Sequence, residues 1–190
     1  MSGAANFCCE CGQPLVTVIR ANAARRVCCA CGYEHRDLPK VLVSCLASCG
    51  DKVLWMRRAN EPYRGQWSVP CGFMEQGETL AGAAARELCE ETGAQLAPES
   101  LRLYVVGSLT WMNQVYVVFR GAMTSPECAP GAEALEVGLF SESEAPWSDF
   151  AFPQSEAPTR RFYRELAEGR FGLYLGEYTP QHTRTWLIST

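Results

Sequence analysis

Glu87, Glu90 and Glu91 stand at i, i+3 and i+4, a spacing that sets three carboxylates on one face of a helix. Alone, that arrangement is unfavourable. Like charges at this distance repel by roughly 0.2–0.5 kcal/mol per pair, and they crowd a helix C-terminus, where the dipole disfavours anions. A bound cation removes both penalties. Clustered carboxylate oxygens suit a hard divalent ion such as magnesium, which keeps several waters and binds substrate phosphates. The alternative is a solvated acidic face. A second donor set lies near the N-terminus. Cys8-Cys-Glu-Cys11 and Cys28-Cys-Ala-Cys31 are two C-x-x-C knuckles with sixteen residues between them. Four thiolates so spaced can close a tetrahedral zinc site, with a redox pair or free thiols as the alternative. The two-residue spacing favours Cys8, Cys11, Cys28 and Cys31 over the adjacent Cys9 and Cys29.

These groups need elements to hold them. The glutamates call for a helix from Thr79, its expected N-cap, to Gly93, placed as a C-terminal cap. Ala81, Ala84, Ala85 and Leu88 give that helix a small apolar stripe for close packing on a sheet. Gly12 and Gly32 follow the knuckles, where a tight turn needs φ above zero. Leu15 to Arg20 alternates as a short strand. Residues 1–37 therefore read as a separate module, too small for a sufficient core and stabilised by its metal. His35, just past the knuckles, reads as a surface or interface residue. Residues 38–190 form the main domain. Val41 to Ser48 reads as a buried strand with Lys52 to Arg57 as its antiparallel partner. Trp67 to Gly72, Leu101 to Thr110, Gln114 to Arg120 and Leu135 to Phe140 follow as strands. Glu156 to Glu168 is helical, with Phe162 and Leu166 at i and i+4, and Phe171 to Tyr178 reads as the terminal strand.

Gly72, five residues, Glu78, seven residues, then Arg86-Glu-Leu-Cys-Glu-Glu-Thr-Gly93 resembles the Nudix hydrolase signature. Ala94 departs from it, standing where a larger aliphatic residue is usual, and this touches packing rather than chemistry. Cys71 replaces one glycine of the usual Trp-x-x-Pro-Gly-Gly approach. A nucleophilic Cys71 has little support, since the only histidines are His35 and His182. The order of cysteine knuckles, signature, residues 130–140 and aromatic tail resembles the zinc-ribbon Nudix subfamily, which includes ADP-ribose and FAD pyrophosphatases. The resemblance implies an α+β fold, an α/β/α sandwich with a mixed sheet, preceded by a zinc ribbon. It implies hydrolysis of the pyrophosphate of a nucleoside diphosphate linked to another moiety. Glu87, Glu90 and Glu91 would hold Mg2+ or Mn2+, assisted by the Gly72 carbonyl. Arg86 and Glu78 would pair and hold Glu87 in place. The general base is Glu91, Glu87 or a carboxylate outside the signature. Glu133 and Glu136 are candidates for that group, with surface acids as the alternative. Trp111 either stacks on a substrate ring or packs in the core.

The competing zinc-ribbon branch, the NADH pyrophosphatases, carries Ser-Gln-Pro-Trp-Pro-Phe-Pro after the signature. Here Ser108-Leu-Thr-Trp-Met-Asn-Gln114 keeps the serine and tryptophan but none of the prolines. The expected substrate is therefore ADP-ribose or FAD, with NADH or a non-catalytic nucleotide-sensing module as alternatives.

Composition bounds the rest. In 190 residues, 47% hydrophobic and 20% charged, no apolar run reaches membrane-spanning length. The net charge of −4 argues against a general nucleic-acid or anionic-membrane surface. The first nine residues show no export signal, so the eleven cysteines read as reduced and cytoplasmic. The expected partners are a small nucleotide substrate and a second copy in a homodimer.

Overall fold

The computed structural model describes residues 6–190; the reading of an absent export signal falls largely on residues 1–5, which lie outside them. The chain divides into two compact units, residues 1–39 and 40–190. In the first, β1 (Leu15–Arg20), β2 (Ala23–Cys28) and β3 (Glu34–His35) form an antiparallel sheet in that order. β2 went unread because Ala-Ala-Arg-Arg lacks a clear alternation of apolar and polar residues.

In the second unit, β4 (Lys40–Cys49) is apolar on both faces, as a central strand must be. Val43, Cys45 and Ala47 pack with Ala83, Ala84 and Leu88, whereas Leu46 packs with Phe162 and Tyr163 on the opposite side. The helices carrying those partners are α1 (Leu80–Thr92) and α2 (Glu156–Glu168), so the sheet lies between them. This is the α/β/α sandwich the sequence implies. The remaining strands are β5 (Lys52–Arg58), β6 (Trp67–Ser68), β7 (Cys71–Phe73), β8 (Arg102–Leu109), β9 (Gln114–Ala122), β10 (Ala134–Phe140), β11 (Leu173–Tyr178) and β12 (Thr183–Ser189). They run in the order β10-β5-β4-β9-β8-β11-β12, with β6 on β5 and β7 on β4.

Three expectations are corrected. β5 is not the full-length partner of β4. The two pair only at Ser48–Val53 and Cys49–Lys52, then splay. Into that gap come β6, paired with Met56 and Arg57, and β7, paired with Leu42, Val43 and Ser44. The long partner of β4 is β9, parallel from Lys40–Gln114 to Ser48–Ala122. The strand at Phe171 to Tyr178 is not terminal, because β12 follows and pairs with it antiparallel. In α1, Ala83 is fully buried and Ala81 only partly, since the buried face continues to Glu91 and Thr92 instead. Thr79 does cap this helix, its Oγ1 accepting from Gly82 N at 3.1 Å, and Gly93 closes it in the left-handed conformation.

Candidate active site and metal centre

The splay of β4 from β5 places the β6–β7 segment against the open face of α1. Gly72 lies so close to Glu87 that a Cβ there would run into the carboxylate. Only glycine lets backbone and carboxylate meet, which fits a Gly72 carbonyl and Glu87 sharing one cation. One residue earlier, Cys71 N donates to Glu91 Oε2 at 2.8 Å. Glu91 is 3% exposed, the most buried carboxylate of the helix. Burial pushes its carboxyl up to about 8; the Cys71 N–H opposes this and the charges of Glu87 and Glu133 add to it. Burial also raises Glu87, against the pull of Arg86.

Arg86 is the hub of the helix face. Its Nε donates to Glu78 Oε1 at 2.6 Å and its Nη2 to Glu78 Oε2 at 3.0 Å, a forked pair. Nη1 donates to Glu87 at 2.8 Å and Glu90 at 2.9 Å, and Nη2 reaches the Phe73 carbonyl at 3.0 Å. The Arg86 bond holds Glu78 down at about 2. One guanidinium thus fixes the loop after β7 to the turn of α1 bearing the glutamates.

These groups form one side of a cavity of about 450 Å³. Cys71, Gly72, Glu75, Glu87, Glu91 and Glu133 line its acidic part, and Arg58 is a basic residue among its walls. Leu42, Leu109, Met112, Gln114, Tyr116, Phe150 and Phe152 are among its other walls. Glu133 therefore joins the helix glutamates. Glu90 stays on the exposed rim and holds Arg86. Glu136 lies elsewhere, facing Arg57 at 3.7 Å across the β10–β5 pair. Trp111 is exposed and outside the cavity wall, where its neighbour Met112 takes a place. Burial and the nearby carboxylates push the Cys71 thiol up, so it stays protonated and is no nucleophile. Arg58, Gln114, Phe150 and Phe152 went unread, because they come from distant segments with no local signal.

In the first unit, both knuckles adopt one geometry. Gly12 N donates to Cys8 O, and Gly32 N to Cys28 O, each at 2.9 Å. Both glycines have positive φ, 72° and 77°. The sulfurs of Cys8 and Cys31 lie 3.6 Å apart, and Cys11 is 3.5 Å from both Cys28 and Cys31. A zinc tetrahedron with bonds of about 2.3 Å has edges of about 3.8 Å, so these four thiols fit that ion. Cys9 and Cys29 are exposed and outside the cluster.

Residues 38–166 match the NUDIX domain family. An ADP-ribose pyrophosphatase of Methanocaldococcus jannaschii is 32% identical over 118 residues, covering 60% of this chain and 67% of that protein. The NAD-capped RNA hydrolase NudC of Stutzerimonas stutzeri is 30% identical over 134 residues, covering 68% of this chain and 45% of that one. A crystal structure of a NUDIX hydrolase from Nitrosomonas europaea superposes with a TM-score of 0.86 at 40% identity, covering 92% of this chain and 99% of the other. The chain spans less than half the length of several curated relatives it matches. Among the described residues no helix is long and apolar enough to cross a membrane.

Proposed function

The chain belongs to the Nudix family, and from that membership we propose that it is a divalent-metal-dependent pyrophosphohydrolase of ADP-linked diphosphates such as ADP-ribose or FAD. The carrying observation is the buried Glu91, held against Cys71 N at the base of a cavity that also gathers Glu87 and Glu133. A buried carboxylate among like charges is costly unless a cation offsets it. Bound Mg2+ or Mn2+ would neutralise phosphoryl oxygens and acidify water. Glu87, Glu91 and the Gly72 carbonyl are the groups that would hold it, with Glu90 at the rim.

The chain's own contribution is positioning. Arg86 keeps Glu87 and Glu90 in place while Glu78 holds the other edge of its guanidinium. Arg58 faces the acidic wall and offers its charge to the pyrophosphate. Glu133, with Glu87 and Glu91, is a candidate base for the attacking water. Water adds to one phosphorus as it gives up a proton to that base, the bridging P–O bond breaks, and AMP and the phosphomonoester of the other moiety are released. The four cysteines hold a structural zinc.

The NudC relatives favour a second reading, hydrolysis of NADH or of a nicotinamide cap. The proline-free Ser108–Gln114 segment speaks for the first. Side-by-side kinetics on ADP-ribose, FAD and NADH with magnesium decide between them. The expected result is a higher kcat/KM for ADP-ribose or FAD. A tenfold preference for NADH, about 1.4 kcal/mol of transition-state discrimination, overturns the assignment.

A further inference from the structure

We propose that Gln114 recognises the planar ring of the substrate by accepting a hydrogen bond from a ring-borne N–H. The inference rests on the cavity being the pyrophosphatase site. Gln114 opens β9 and lines the cavity. It stands opposite Leu109 of β8 and Lys40 of β4, and the next pair facing the same way is Tyr116 with Leu42. Leu42, Leu109 and Met112 line the cavity with Gln114, and neither the opposing Lys40 nor the cavity residues Tyr116, Gln154 and Ser155 donate to its Oε1. Its Oε1 is buried and accepts from no group. An unsatisfied buried acceptor costs about 1–3 kcal/mol. Among the described residues, Ser68, Tyr104, Arg120, Arg161, Glu165 and Tyr178 also bury an unpartnered side-chain atom, but none of them lines the cavity, whereas Gln114 does.

The ligand must then bring the donor. Phe73, Phe150 and Phe152 add aromatic faces to the same cavity, so the donor fits best on a flat ring. Position along β4 agrees. Gln114 is level with Lys40, whereas Cys71, which holds Glu91, is level with Ser44. At about 3.3 Å per residue those levels are roughly 13 Å apart, room for a sugar and phosphate between ring and cation. The exocyclic amine of adenine supplies such an N–H, and so does the carboxamide of nicotinamide.

The test is equilibrium binding to the full-length, magnesium-loaded protein, which is separate from hydrolysis. The probes are AMP, purine riboside 5′-monophosphate, which lacks the amine, and nicotinamide mononucleotide. Wild type should bind AMP about tenfold more tightly than the amine-free analogue. Gln114→Leu should bind both equally, with AMP weakened about tenfold, or about 1.4 kcal/mol. A tenfold loss confined to nicotinamide mononucleotide assigns the donor to the carboxamide and also supports the proposal. Gln114→Met, closer in shape, serves if the leucine variant does not fold. Unchanged binding of both nucleotides in the variant, or no binding by wild type, overturns the proposal. Failure of the wild type to hydrolyse ADP-ribose, FAD or NADH instead sinks the pyrophosphatase reading.

Discussion

Replacing Glu91 by glutamine keeps the shape and an oxygen for Cys71 N while removing a buried charge. An ordinary glutamate ionises near 4.5, and burial raises Glu91 to about 8 in the fold. The folded, metal-free chain therefore binds a proton that the unfolded chain releases. Stability from this group is fully present below about 4.5 and falls as pH rises towards 8. At 1.36 kcal/mol per pKa unit, that proton uptake costs the fold about 3 kcal/mol at pH 7 and under about 1 kcal/mol at pH 5. Glu91→Gln escapes that cost. In magnesium-free buffer the variant should be the more stable at pH 7, by about 3 kcal/mol, with little advantage at pH 5. Urea unfolding followed by tryptophan fluorescence measures this, since all five tryptophans lie beyond residue 40. In magnesium its kcat should fall on the order of 100-fold, because metal-based charge stabilisation contributes several kcal/mol. An advantage that does not grow between pH 5 and pH 7, or a kcat within tenfold of wild type, refutes the reasoning.

Arg86→Ala should lower kcat by about 10- to 100-fold, as Glu87 and Glu90 lose a shared donor, and Arg86→Lys should recover only part because the fork to Glu78 is lost; steady-state kinetics with a magnesium titration check both. Cys28→Ser should abolish tight zinc binding and unfold residues 6–39, while the tryptophan-reported transition persists; elemental analysis and fluorescence give the two readouts. Native protein without zinc would sink the metal assignment. Tyr163→Phe should destabilise by about 1–3 kcal/mol in urea, because the hydroxyl accepts from Trp55 Nε1 and donates to the Phe140 carbonyl, each at 2.9 Å, inside the core.

The legible parts of this protein are those with local causes. The bounds of α1 followed from Thr79 and Gly93, and α2 from its helical spacing. The two knuckles announced their sulfur cluster through spacing alone. The illegible parts are non-local. Nothing near Val41 says that its neighbour is Val115 rather than a residue of β5. β12 was missed because its exposed Trp186, Leu187 and Ile188 lack the alternation of a half-buried strand. Glu133 and Glu136 look alike in sequence. They part because Glu133 precedes β10 and lines the cavity, while Glu136 sits within the strand opposite Arg57.

The parallel pairing of β4 with β9 also sets a timetable. The partners are roughly 70 residues apart, and parallel pairs of such separation form late because the loop must close before any contact rewards it. At ribosomal rates of about 5–20 residues per second, β4 waits about 4–15 s for β9 to be made. Through that interval both its faces are apolar and its long edge is bare, a natural point for chaperone capture or aggregation. The β6–β7 segment that presents Gly72 to Glu87 lies within the same open loop. Catalytic competence should therefore emerge only with closure of the sheet, after most of the chain has left the ribosome.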